Sequence, residues 1–357
     1  MLNRAAVITI LLLPAAILFG QSPTPAASAT PSPSPTTQQV IDSLGEADLQ
    51  AALTILKSNF TSPDALTETE LNRATLTGVL TRIPGAMMLL PSREASSPQS
   101  PTPLYAEIFE GHLGYLRLGD FSSANLRELD KKLQDFGQKK VDALILDLRA
   151  SNGGDFASAA EFAKRFCPKG KPLFSVRKPA ARQDRQFTSD RDPSFQGLMV
   201  LLVDNDTAGA AEAFAAALRL YNKALAIGQP SAGRAVEYSD VALPSGKTLR
   251  VASAEAVLPD DQPLFPGGVK PDLPVEMSPG EKRQIFKLSG ERGMAQFVYE
   301  TDRPHLNEAA LIAGTNPELE IPDTQRRTRA RSGSPPRDAV VQRALDVVTS
   351  LEVYQKH

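Results

Sequence analysis

Tryptophan is absent from the chain, cysteine occurs once and histidine three times. Aromatic residues make up only 6% of the sequence, too few for a broad platform on which single-stranded bases would stack. Charge of either sign is nearly balanced, at a formal net −2, so no electrostatic attraction to nucleic acid is expected. A lone thiol cannot close an internal disulfide, and stability must come from core burial. That thiol, Cys167, follows the apolar run Phe162 to Phe166 and precedes Pro168, which suits a small buried residue better than a reactive one. None of His112, His305 and His357 has a histidine or cysteine at ligand spacing, so neither a metal nor another cofactor is expected.

What is present begins with a segment that reads as an export signal. Arg4 precedes an apolar run from Ala5 to Phe19, followed by small and polar residues. The run is about 15 residues long, short beside the roughly 20 of a membrane-spanning helix. We therefore expect a signal peptide over residues 1–20 and an exported protein, in the periplasm or cell envelope. Contact with a membrane is expected only through this segment, where it is retained. No cysteine follows the run, so a lipid anchor is not expected. Residues 21–37, rich in Pro, Ser and Thr, have little to bury and read as a tether.

Residues 38–91 carry apolar positions at helical spacing, and Thr67 with Glu70 makes a capping pattern for a second helix. After a Pro/Ser loop the period changes. Leu104 to Phe109 and His112 to Leu118 read as a hairpin, and Asp142 to Leu148 as a strand covered on both faces. Helices are expected at Ser123 to Phe136, Phe156 to Phe166 and Ala208 to Tyr221. Strands are expected at Leu173 to Val176, Leu198 to Val203 and Ala224 to Ile227. The polar stretch Arg177 to Ser194 reads as an exposed loop. A hairpin, Val236 to Leu243 and Thr248 to Leu258, closes the pattern, and the alternation implies a mostly parallel sheet. Beyond it lie an extension, 277–324, a basic linker, 325–337, and an amphipathic helix within 338–357.

Several pieces of this pattern, in order, resemble the core of the C-terminal-processing (tail-specific) serine peptidases. They are GYLRLGDF from Gly114, LILDLRASNGG from Leu144, LLVDNDTAGAAEAFAAAL from Leu201, AIGQPSAGR from Ala226, LPSGKTLRV from Leu243 and GGVKPDLPV from Gly267. The resemblance implies an α/β fold, a crotonase-like spiral of β-β-α units over residues 104–276, with N-terminal helices and a C-terminal helix. Many members insert a PDZ domain after their N-terminal helices. Here only Ser92 to Pro103 separates the two regions, too little for a domain.

The resemblance also places the chemistry. The family's nucleophilic serine falls on Gly209 of Thr207-Ala208-Gly209-Ala210-Ala211-Glu212. Its lysine base falls 25 residues later, on Arg234, and its glutamine on Tyr238. A Ser-Lys hydrolase needs a hydroxyl that a neutral amine can deprotonate. Glycine supplies no hydroxyl, and a guanidinium stays protonated. Backbone donors for an oxyanion are expected from Gly153, Gly154 and the amide of Ala210. Glu212 reads as a cap of the helix, Thr207 as its N-cap and fallback nucleophile, and Ser231 as a turn residue. Lys223, roughly 20 Å along the helix, is too far to serve as base.

Three functions follow as expectations. The first is a catalytically inactive homologue that binds a polypeptide or protein partner. The second is an active peptidase with a relocated nucleophile, and the third a structural partner of an active paralogue.

Overall fold

The structure, a computed structural model, describes residues 37–59, 66–90, 102–152, 154–298 and 336–355. The chain divides into two compact units, Met1–Asn72 and Arg73–His357. The expected signal, the tether up to residue 36, the segment 299–335 with most of the basic linker, and Gly153 lie outside the described residues, whereas Thr37, expected as the tether's last residue, begins a helix. No helix among those described is long and apolar enough to cross a membrane.

The first unit holds α1 (Thr37–Ser43), α2 (Glu46–Asn59) and the start of α3 (Glu68–Arg82). Thr67 caps α3 as its pattern implies, its Oγ1 accepting the amide of Glu70 at 3.3 Å. The leucines and isoleucines of α2 are exposed rather than buried.

The second unit is built on a six-stranded sheet. Its members are β2 (Tyr105–Phe109), β3 (Leu113–Arg117), β4 (Ala143–Asp147), β7 (Leu198–Val203), β8 (Leu225–Gly228) and β11 (Leu273–Pro274). The order is β11-β8-β7-β4-β3-β2, parallel except for the edge strand β2, which returns antiparallel on β3. Strand side chains alternate between faces. Leu144, Leu146, Leu201 and Val203 therefore enter one core, and Ala143, Ile145, Val200 and Leu202 another. The first core is covered by α4 (Ser123–Gln138), α5 (Phe156–Ala163) and α6 (Ala210–Asn222). The second is covered by α7 (Pro279–Arg292) and the last helix, α8 (Ala339–Gln355). Two covered faces explain why Asp142 to Leu148 carries an unbroken apolar run.

A second sheet runs β1-β10-β5-β6, with β9 also on β10. These strands are β1 (Met87–Leu90), β5 (Pro172–Lys178), β6 (Gln183–Thr188), β9 (Val236–Ala242) and β10 (Thr248–Val257). Three expectations are corrected here. Residues 87–90 are a strand, not the end of a helix, because they pair with Thr248–Val251 of β10. The stretch from Arg177 to Ser194 is not all loop, since β6 pairs antiparallel with β5 through Gln183–Thr188. The helix expected from Ala208 begins at Ala210, with Gly209 at its N-cap rather than Thr207.

Cys167 is fully buried, and burial pushes its thiol up to about 12. Since the thiolate is the reactive form, the native protein should show no labelling by an aromatic disulfide reagent at pH 8, and one equivalent once denatured. Labelling of the native chain within minutes would contradict this burial.

Candidate functional site

A cavity of about 740 Å³ opens at the N-terminus of α6. Gly209, Arg234, Tyr238 and Gly154 all line it, with Met88 of β1 and Arg250 of β10. Three positions separated by up to 29 residues in sequence thus share one wall. Ala210 lies behind this surface and is fully buried. Its amide is among those for which a helix offers no intrahelical acceptor.

The backbone at Gly209 is sharply turned, with φ 66° and ψ −125°. Residues with a Cβ rarely adopt these angles, and glycine does so at no steric cost. Hydrolases expose a nucleophile on such a strained turn ahead of a helix. Here the turn carries no side chain.

The turn is held by Glu212, whose side chain is entirely buried in the first turn of α6. Its Oε2 accepts the amides of Gly209 at 3.0 Å and Arg234 at 2.8 Å. Its Oε1 accepts the Ser231 hydroxyl at 2.5 Å and the Gly233 amide at 2.6 Å. Burial pushes the Glu212 carboxyl above its ordinary range, and the hydrogen bonds from Ser231, Arg234, Gly233 and Gly209 oppose that rise. The Ser231 hydroxyl in turn accepts the Val269 amide at 2.7 Å. Gly268 lets the chain pass here, because a Cβ at that position would lie 2.5 Å from Ser231 Oγ. The sequence reading assigned Glu212 a helix cap and Ser231 a turn. The fold adds that together they tie the Arg234 loop to the helix.

Two arginines line the cavity, Arg234 and Arg250. Arg250 is engaged by both carboxylate oxygens of Asp240, at 2.7 and 2.8 Å, and Glu237 pairs with Arg185. The exposed Arg234 guanidinium makes no hydrogen bond or ion pair with a described residue. Its aliphatic stem packs beside Gly85, whose carbonyl accepts the Tyr238 hydroxyl at 3.0 Å. Burial raises the Tyr238 phenol above its usual range, with Arg234 pulling the other way, so it holds its proton.

Thr207 is fully buried and does not line the cavity. Its hydroxyl donates to the Leu148 carbonyl at 3.0 Å and accepts the Asp204 amide at 3.1 Å. Lys282, the buried lysine among the described residues, donates to Asp204 and Asp206. Its ammonium is engaged by two carboxylates and is not offered to the cavity.

A further network was missed in the sequence. Arg149 is buried, and its guanidinium grips Asp147 on one side and Asp338 on the other, at 2.7–2.9 Å. Asp338 precedes α8 and also accepts the amides of Val340 and Val341. The available signal was Asp147 at the end of an otherwise apolar strand with Arg149 two residues beyond it, where a buried ion must find its partner nearby.

The description "peptidase family S41" matches residues 112–275. A carboxyl-terminal-processing protease of Synechocystis is 27% identical over 164 residues, which are 46% of this chain and 38% of that protein. The carboxy-terminal processing protease CtpA of Bacillus subtilis is 25% identical over 174 residues, 49% and 37% of the two chains. The chain thus spans less than two fifths of the length of these curated relatives. Among solved structures, a protein of Parabacteroides merdae described as a candidate peptidase superposes with a TM-score of 0.51 at 16% identity. The superposition covers 68% of this chain and 85% of that one, and it bears on the fold alone.

Proposed function

From the premise that residues 112–275 are a peptidase family S41 domain, homologous to C-terminal-processing serine proteases, we propose that this chain binds polypeptide in the cell envelope without cleaving it. The reading rests on one observation. The cavity that would house acyl transfer presents a backbone turn at Gly209 beside the guanidinium of Arg234. A hydroxyl and a neutral amine are both required for a Ser-Lys mechanism, and neither residue supplies its part.

What remains suits recognition. An unpaired guanidinium presents a planar fork that matches a carboxylate in two parallel hydrogen bonds. The carboxylate every polypeptide carries is at its C-terminus. The edges of β1 and β9 near the cavity offer backbone groups to an extended peptide, the geometry of strand addition. Residence in the envelope is supported by the pattern of residues 1–20.

The test is retention of unstructured peptides carrying either a free C-terminal carboxylate or a C-terminal amide, with peptide cleavage followed in the same samples. The carboxylate form should bind at least tenfold more tightly, and Arg234→Ala should remove that preference, a change of about 1.4 kcal/mol or more. No cleavage and no acylation by serine-directed probes should be seen. Equal retention of both peptide forms, or cleavage abolished by Thr207→Ala, would defeat the proposal.

A further inference from the structure

The fold brings together three potential ligands that sequence spacing keeps far apart. His112 follows the turn between β2 and β3, Asp142 stands just before β4, and Glu352 lies in the last turns of α8. Their ligating atoms all lie within 4.8 Å of one another. Local spacing gives His112 no companion ligand, and it cannot show Glu352, which is 240 residues away.

The imidazole is already oriented. Its Nδ1 lies 3.1 Å from the Glu110 carbonyl, which can only accept, so Nδ1 carries the hydrogen. A metal-binding histidine is commonly fixed in this way, with the other nitrogen left free to ligate. That nitrogen, Nε2, faces Glu352 Oε2 at 3.1 Å. Two acceptors facing one another need a cation between them. A single proton would satisfy that pair, but it would leave Glu352 Oε1 unsatisfied. That oxygen is buried and has no hydrogen-bond partner, an arrangement folded proteins seldom leave unexplained.

We propose that His112, Asp142 and Glu352 form a zinc site that clamps the end of α8 to the β2–β3 hairpin. One imidazole and two carboxylates are a donor set that zinc accepts, and Glu352 chelating through both oxygens engages Oε1 as well as Oε2. Bonds of about 2.0–2.1 Å in a tetrahedron place neighbouring ligands roughly 3.3 Å apart, close to the existing separation of His112 and Glu352. Asp142 is exposed and completes the set by rotating its side chain. The other end of α8 is held by Asp338, so the ion would fasten a helix already anchored at its start.

The full chain, stripped with chelator and exchanged into metal-free buffer, is titrated with zinc chloride by calorimetry and in a thermal-melt series. One equivalent should bind and raise the melting midpoint. His112→Gln and Glu352→Gln should each weaken binding at least tenfold, whereas His305→Gln and His357→Gln should leave it unchanged. Cobalt(II) in place of zinc should give the visible absorption of a tetrahedral site, lost in His112→Gln. Circular dichroism of each variant establishes that it folds. Absence of a saturable equivalent, or binding indifferent to His112→Gln in a folded variant, overturns the proposal. A melting midpoint that never responds to zinc does so as well.

Discussion

Arg149→Met should cost about 3–5 kcal/mol of folding stability, read as a fall in the urea midpoint, because it leaves carboxylates buried without their cation. Asp147 and Asp338 are both fully buried, and each is gripped by the guanidinium. Methionine fills much of the volume but neutralises neither charge. The loss should be largest at neutral pH. In the native protein burial alone would raise the Asp147 carboxyl, but the Arg149 charge and the hydrogen bonds from Arg149 and Tyr115 outweigh that and hold it below its ordinary range. A depressed carboxyl contributes stability that is present above its unfolded value and lost as pH falls through its folded one. In the variant only the Tyr115 hydroxyl, the residue-149 amide and the Arg117 charge still oppose the desolvation, so the carboxyl rises and protonation relieves the burial. The gap between wild type and variant should therefore narrow from pH 7 toward pH 4.

Asp338→Asn separates the two roles of that residue, since asparagine caps a helix as well as aspartate. Hydrogen exchange along α8 should then rise less than in Arg149→Met. A variant with the same midpoint as wild type would show that the buried triad carries none of the fold's stability. A gap that widens in acid would show that its sign has been misjudged.

How far such features could be read in the sequence depended on how local they are. The run DALILDL announced a strand buried on both faces, because covering both faces leaves only apolar residues to see. Thr67 announced a helix start, since a cap involves residues three apart. By contrast, β6 is Gln-Asp-Arg-Gln-Phe-Thr, an edge strand with one aromatic and no apolar alternation, so its pairing to β5 left no local trace. The four residues of β1 are apolar throughout and follow a helix, which made them look like its continuation. The same division holds at the site. Gly209, Arg234 and Tyr238 share a wall because the resemblance fixes their spacing. The distant partners of Arg149 and His112, Asp338 just before α8 and Glu352 within it, lie 189 and 240 residues away, and no spacing rule reaches that far.

Glu212→Ala should be the most damaging change at the cavity, costing about 3 kcal/mol, since it releases four donors, of which the Ser231 hydroxyl and the Gly233 amide are buried, and each buried donor left unpaired costs roughly 1–3 kcal/mol. The four losses will not add fully, because they share one carboxylate. Glu212→Gln should not rescue it. Each carboxylate oxygen receives a backbone amide, Gly233 on one and Gly209 and Arg234 on the other. Either orientation of a glutamine therefore turns its own NH₂ against a donor. Peptide retention should fall with stability in both variants, and further than in Arg234→Ala, because the loop that carries Arg234 is released from the helix. Urea midpoints and retention measured on the same samples decide it. A glutamine variant as stable as wild type would mean that the donors find other acceptors and that Glu212 is only a cap. The predicted outcome instead makes Glu212 the residue that preserves the cavity's shape. It holds a turn at which this chain has glycine, and it keeps in place the loop that carries the Arg234 guanidinium.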